Sequence, residues 1–543
     1  MLIALRCTQP KGATMRGALS VLLGITAASA FVSPVSAQTQ TQTQTQTAHQ
    51  HGLPRLGTVE FRVDCTPAAQ AEFNTAMALY HSFAWPEAVA AFAGVARTDP
   101  TCGMAHWGHA LSLLENPFAW PATFSPARLD SVVAALDAAV AAGIFVRGHA
   151  TRPYPERIKA FDAAMASLMA AYPDDIEAKI LSALITSANF DPTDKNYTNQ
   201  LKAAAILEPL FKQYPNHPGV AHYLIHSYDY PAIAEKGLPA AKAYAAIAPD
   251  APHALHMPSH IFTRVGYWKD SIAANRESAR VSGESVFDGH HAADYMVYAH
   301  LQLAQDAAAR QALAASRSRP AVDNFGAAYA YAAMPARLLL EAGDWAGAAN
   351  LPLDPAKGAY PWQKYPQAEA VNAFARGIGA ARSGNTDAAR VEQARLIVLR
   401  DATRAAQLPY WAGQIDIQAA LVGALALCAE GKIDDCISGL KAAAAREDAT
   451  EKHVVTPGPL VPARELLAEA LLAANKPAES LAEYEAVMKK EPNRYRAIAG
   501  AMAAARAAGD GSRAKALATE LAKLGAEADT PRDSLRQAKE IAG

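Results

Sequence analysis

A chain of 543 residues, 51% of them hydrophobic, has the length of roughly two to four domains or of one long repeat array, and it can bury a large core. Its 50 Lys and Arg nearly balance 52 Asp and Glu, a formal net charge of −2, and no basic patch or tail points to a nucleic-acid partner. Abundant alanine and the rarity of alternating apolar–polar runs exclude a sheet-rich fold and favour stacked helices.

Residues 1–37 read as a secretory signal. Met15-Arg16 opens a short basic region, Ala18 to Val32 is mostly apolar, and Val35-Ser36-Ala37 is a small-residue cleavage site. Met1 and Met15 are both candidate starts. The apolar run is too short and too rich in small residues to persist as a membrane span, so the expected location is periplasmic or secreted. Cleavage after Ala37 removes Arg6, Lys11 and Arg16 and no acid, leaving 47 basic against 52 acidic residues, a net −5. Residues 38–57 are a Gln/Thr-rich leader expected to be flexible. Cys7 leaves with the signal. The other four cysteines lack CxxC spacing, so Cys65–Cys102 and Cys428–Cys436 disulfides are expected rather than a thiolate metal site.

Helices are expected at Glu72–Leu79, Pro86–Ala96, Met104–Leu114, Ser125–Ala142, Pro155–Ala171, Asp174–Ala188 and Gln200–Gln213. They belong to an N-terminal solenoid over residues 58–350. Residues 351–369 are a proline-rich break and the best internal boundary, and residues 370–543 form a C-terminal array.

The stretch from His222 to Asp294 holds seven of the sixteen histidines. HYLIH places His222 and His226 one helical turn apart, and HALHMPSH does the same for His256 and His260, with His253 beside them. His222 to His256 and His226 to His260 are each 34 residues. HHAAD follows, with His290, His291 and Asp294. A third unit starts at Val286 or at His290. The first start aligns His290 and Asp294 with the earlier pairs; the second places His291 and Asp294 on the same face. Pro258 removes one helical hydrogen bond, so the second histidine helix is expected to kink or restart there.

The 34-residue period, with Pro215 and Pro249 closing successive units, resembles the tetratricopeptide repeat, a helix–turn–helix unit. LGTVEF, DPTCGMAHWG, YPDDIEAK, GVAHYLIHSYDYP, APHALHMPSHIFTRVGYW and PGPLVPAREL together resemble one group of exported bacterial tetratricopeptide proteins across nearly the whole chain after the signal. The resemblance implies an all-α, right-handed α-solenoid of helix pairs, with the histidines on the concave groove. It implies no reaction.

Histidines at matching places on adjacent helices can converge on one ion or on two; neutral imidazole suits Zn, Cu, Fe and Ni, and Zn or Cu is expected ahead of Fe. The expected metal ligands are His222, His226, His253, His256, His260, His291 and Asp294. His290, Asp229, His453 and Glu465 are expected around them, the last two on the HVVTPGPLVPARE loop folded back over the groove. HExxH, Walker, GxSxG and CxxCH motifs are absent. Three readings stand: a metal-binding solenoid, a peptide- or protein-binding scaffold whose groove is merely polar, and a mono- or dinuclear metalloenzyme. Paired H-x3-H helices also occur in coupled dicopper oxidases.

Overall fold

The structure, a computed structural model, describes residues 54–119, 124–137, 154–282 and 287–543. The expected signal and the leader as far as residue 53 lie outside the described residues.

The described residues form helices and connecting turns, with no strand among them. The array opens with α1 (Pro67–His81), α2 (Trp85–Thr98), α3 (Gly103–Leu114) and α4 (Pro126–Asp137). Next come α5 (Tyr154–Ala171), α6 (Ile176–Ala188) and α7 (Thr198–Gln213). The histidine-bearing region contains α8 (Pro218–Tyr228), α9 (Leu238–Ile247), α10 (Pro252–His256), α11 (Pro258–Arg264), α12 (Trp268–Val281) and α13 (Phe287–Gln302). α14 (Asp306–Arg317), α15 (Phe325–Ala342) and α16 (Trp345–Ala349) lead to the proline-rich break. Beyond it are α17 (Pro366–Arg382), α18 (Thr386–Ala405), α19 (Pro409–Ala429), α20 (Ile433–Asp448) and α21 (Ala463–Ala473). α22 (Pro477–Lys490), α23 (Tyr495–Ala507), α24 (Gly511–Leu524) and α25 (Asp533–Ala542) end the chain.

Helices pack on their sequence neighbours, as α1 on α2, α7 on α8, α12 on α13 and α24 on α25. Such stacking makes an all-α solenoid of helix pairs. Proline marks many of the starts, because its missing N–H is not needed in a first turn and its φ is already helical. α8 and α10 begin at Pro218 and Pro252, the two expected unit starts.

Three expectations change. The proline-rich break does not divide the molecule: Leu351, Tyr360 and Trp362 are buried in one apolar cluster that runs from Ala327 on α15 to Leu471 on α21. The leader ends sooner than residue 57. Arg55 pairs with Asp250 (2.7 Å), Leu56 is buried, and Gly57, at φ +82°, leaves no room for a Cβ, which would lie 2.6 Å from the Asn216 carbonyl. Finally, units do not touch only their neighbours. α13 packs on α23, Trp268 Nε1 donates to the Asn493 carbonyl (2.9 Å), and Arg532 pairs with Asp306. Gly266, at φ +71°, is needed where the chain backs onto Pro492, whose carbonyl would be 2.4 Å from a Cβ.

Both expected disulfides are present. Cys65–Cys102 ties the segment before α1 to the start of α3, and Cys428–Cys436 ties α19 to α20. Among the described residues α19 alone is long and apolar enough to cross a membrane, and it buries Ile415, Leu421, Val422 and Leu425 in the core.

Candidate metal centre

α8 carries His222 and His226 on one face. Pro258 restarts the second histidine helix: α10 ends at His256, Met257 stays in the helical region, and α11 begins at Pro258. The tight His260 N–H to Met257 carbonyl bond (3.1 Å) spans the junction. His256 and His260 still face the same way, with their Nε2 atoms 2.9 Å apart.

Six imidazoles form one continuous cluster. Ring centroids lie 4.9 Å apart for His222–His226, 5.1 Å for His222–His253 and 6.0 Å for His253–His256. The values are 4.9 Å for His256–His260, 4.5 Å for His256–His291 and 6.0 Å for His226–His260. The cluster resolves into two triads, His222/His226/His253 and His256/His260/His291, in each of which one nitrogen per ring lies within 4.8 Å of the others. All six rings are buried, so they do not line an open groove as the repeat register implied. Phe118 stacks on His226 at 4.0 Å, Phe83 lies against His222 and His253, and Tyr244 stacks on His222.

Hydrogen bonds outside the cluster fix several tautomers. His222 Nδ1 donates to the His81 carbonyl (2.7 Å), and His260 Nδ1 donates to Asp229 Oδ2 (2.9 Å). Asn275 gives its Nδ2 to the Ser271 carbonyl (2.7 Å), so its Oδ1 is the acceptor for His256 Nδ1–H (2.6 Å). The proton therefore sits on Nδ1 in all three rings, and each Nε2 points inward as a bare lone pair. Two consequences follow. His256 Nε2 and His260 Nε2 are both acceptors at 2.9 Å, an approach that a shared cation satisfies and a neutral pair does not. In the first triad His222 Nε2, His253 Nε2 and both nitrogens of His226 are buried without a hydrogen-bond partner, which is costly for groups cut off from water.

A metal fits this arrangement. With metal–nitrogen distances of about 2.0–2.1 Å and a ligand angle of about 90–109°, two nitrogens stand about 2.9–3.4 Å apart. Holding the second nitrogen of each imidazole with an outer oxygen is how metal-ligating histidines are oriented.

Burial pushes the pKa of His222, His226, His256 and His291 well below the ordinary value, and the neighbouring imidazoles push further. Burial also lowers His260, against the pull of Asp229. Burial alone would raise the pKa of Asp229; Lys452, Arg264 and His260 outweigh it and hold the carboxyl well below its usual range. These five rings are thus held toward the neutral form, the state in which imidazole binds metal.

Other expected residues are placed differently. Asp294 is turned away and pairs with Arg337 (2.9 Å). His290 bonds Ser316 Oγ (2.8 Å) and the Pro320 carbonyl (3.0 Å). The third rung is therefore His291 with Tyr295, whose ring lies 4.8 Å from His256 and 5.1 Å from His260; one residue along a helix turns a side chain by about 100°, enough to exchange faces. Asp229, not Asp294, is the carboxylate that holds His260, and Asp288 lies 3.5 Å from His253 Nδ1. Glu465 is remote, held by Arg494 and Arg496. The loop before it does fold back: Lys452 Nζ lies 3.6 Å from Asp229, and Tyr295 donates to the Val454 carbonyl (3.2 Å). His453 itself turns to Trp411 and lines a separate pocket with Tyr410 and Tyr329, which Arg264 and Lys452 also reach.

Sequence reasoning did not find Asn275, Tyr295, Lys452, Arg264 or Phe83. Tyr295 stands four residues after His291 and Arg264 four after His260, a helical spacing that could have pointed to them. A second buried group, His81, Glu177 and His217, was also not foreseen as a unit. His217 Nδ1 accepts the Val220 N–H (3.4 Å), so its Nε2 carries the proton and donates to Glu177 (2.9 Å). Each imidazole nitrogen of this group has a hydrogen-bond partner, so it is a satisfied network, unlike the two triads.

No protein-family model matches the chain, and no curated protein matches it. Among solved structures it is similar to yeast Tom70 (12% identity, TM-score 0.28, 87% of this chain and 88% of that one). It is also similar to the TPR domain of P58(IPK) (13%, TM-score 0.21, 68% and 98%) and to the APC/C heterotetramer Cut9–Hcn1 (9%, TM-score 0.27, 88% and 90%). Overlap at this level carries no argument about function; the helix order and contacts above define the fold.

Proposed function

We propose that this chain is an exported helical-repeat protein whose six-imidazole cluster binds a pair of transition-metal ions, zinc or copper, with three imidazoles to each. The observation that carries the reading is the His256–His260 pair, two bare Nε2 lone pairs 2.9 Å apart with both Nδ1 protons committed to Asn275 and Asp229. An all-imidazole donor set favours copper or zinc over the harder metals. Three protein ligands leave each ion an open position, the feature that separates catalytic from structural sites. A metalloenzyme with an unidentified substrate is therefore the second reading. Export is supported by the signal-like residues 1–37 and by the two disulfides.

The test is metal analysis of protein purified from an oxidising compartment, followed by titration of the metal-free chain. About two equivalents of Zn or Cu are expected. Replacing both His226 and His260 by Ala removes one ligand from each triad and should abolish tight binding while leaving the far-ultraviolet circular dichroism nearly intact. No metal in the wild type, or unchanged affinity in the double variant, rejects the proposal.

A further inference from the structure

We infer that Glu177 is a positioning residue for one of the two ions only: its carboxylate, acting through His81 and His217, sets the geometry of the His222/His226/His253 triad. The inference rests on the two-ion reading above.

Glu177 lies on α6, outside the histidine helices, and is fully buried. Each of its oxygens takes one imidazole N–H. Oε2 faces His81 Nε2 at 3.0 Å and Oε1 faces His217 Nε2 at 2.9 Å. Both imidazoles are supports of α8. His217 caps that helix: its Nδ1 accepts the Val220 N–H, one of the first-turn donors that no helical carbonyl can satisfy. α8 then delivers His222 and His226. His81 acts through its main chain, because its carbonyl accepts His222 Nδ1–H (2.7 Å) and so determines which nitrogen of His222 faces the metal. The His81 ring cannot drift, since Tyr223 Oη holds its Nδ1 at 2.9 Å and Gly219 packs so close that a Cβ there would lie 2.5 Å from the same nitrogen. One carboxylate therefore grips the cap of the ligand helix and the residue that orients its first ligand.

The second triad has separate supports. His256 is held by Asn275 and His260 by Asp229, and neither bonds the Glu177 group. A defect at Glu177 should be felt at one ion, with the other as an internal control for folding. Glutamine keeps the shape of glutamate but offers one acceptor and one donor, so it cannot receive both N–H groups.

The experiment is a Zn²⁺ titration of the metal-free full chain against a chelator of known affinity, comparing wild type, His253→Ala and Glu177→Gln. His253→Ala identifies which binding step belongs to the first triad. Glu177→Gln should weaken that step by about tenfold, the low end of the effect of losing a direct partner of a metal ligand because Glu177 acts one residue further out, and leave the other step unchanged. Both steps unchanged, or both weakened alike, overturns the inference. Should Glu177→Gln fail to fold, Tyr223→Phe removes only the hydroxyl that fixes the far side of His81. It should weaken the same step, and an unchanged first step in that variant likewise overturns the inference. A wild type that binds no Zn²⁺ rejects the two-ion reading itself, whatever Glu177 does.

Discussion

Two imidazoles that both donate through Nδ1 cannot hydrogen-bond each other through Nε2, and His256 and His260 are in that position. The i,i+4 spacing and the 34-residue offset made His222, His226, His256 and His260 legible as one group before any coordinates. The partners that fix their tautomers were not legible, because Asn275 and Asp229 reach the rings through packing that leaves no period in the sequence. The same burial predicts a pH dependence. His222, His226 and His256 titrate well below the ordinary range, and burial takes His453 down to about 4. Below about pH 6.5 the unfolded chain binds protons on these histidines that the folded chain refuses, so folding stability falls with falling pH, by about 1.4 kcal/mol per pH unit for each such residue. The metal-free protein should therefore show a melting temperature that drops between about pH 7 and pH 5, and excess Zn²⁺ should move the drop to lower pH. A melting temperature flat over that interval in the metal-free protein contradicts the neutral cluster.

At the scale of elements, the helix starts at Pro218 and Pro252 were legible as unit starts, whereas the first helix opens at Pro67, five residues before the expected Glu72, and α17 opens at Pro366 inside the expected break. The register of α13 was not legible. The exact repeat offset selects His290, whereas the structure uses His291, because the face bearing His290 bonds Ser316 and the Pro320 carbonyl of the segment that follows. Pro258 is the other element-level feature, since it separates α10 from α11 between His256 and His260. Pro258→Ala restores the missing N–H and should fuse the two helices, relieving a proline penalty of up to about 3 kcal/mol. The expected result is an unchanged or higher melting temperature together with weaker metal binding, by about tenfold through misaimed ligands. Equal metal affinity in that variant, measured by chelator competition, shows that the break has no part in aiming His256 and His260.

Over Arg55–Gly543 the described chain is a solenoid that fastens onto itself. Composition made the helical stack legible, but not this closure, because the fastening residues are far apart in sequence: Gly266 against Pro492, Trp268 on Asn493, Arg532 on Asp306. Arg494 sits at the centre of the C-terminal lock, fully buried between Glu341 (2.8 Å) and Glu465 (2.6 Å). Removing one partner strands buried charge, so Arg494→Ala should cost about 3–5 kcal/mol in denaturant unfolding. Since α23, where the lock begins, also packs on α13, which carries His291, the histidine cluster and the C-terminal units should melt in one transition. Two separated transitions, with the histidine region surviving, would show that the closure does not couple them.

The most direct measurement is anomalous X-ray diffraction at the edge of the bound metal, on crystals of the metal-loaded full chain. The account predicts two peaks, one bounded by His222, His226 and His253 and the other by His256, His260 and His291, with Nε2 of His222, His256 and His260 toward the metal. A single peak elsewhere, or no peak with the six rings in these same positions, would contradict it.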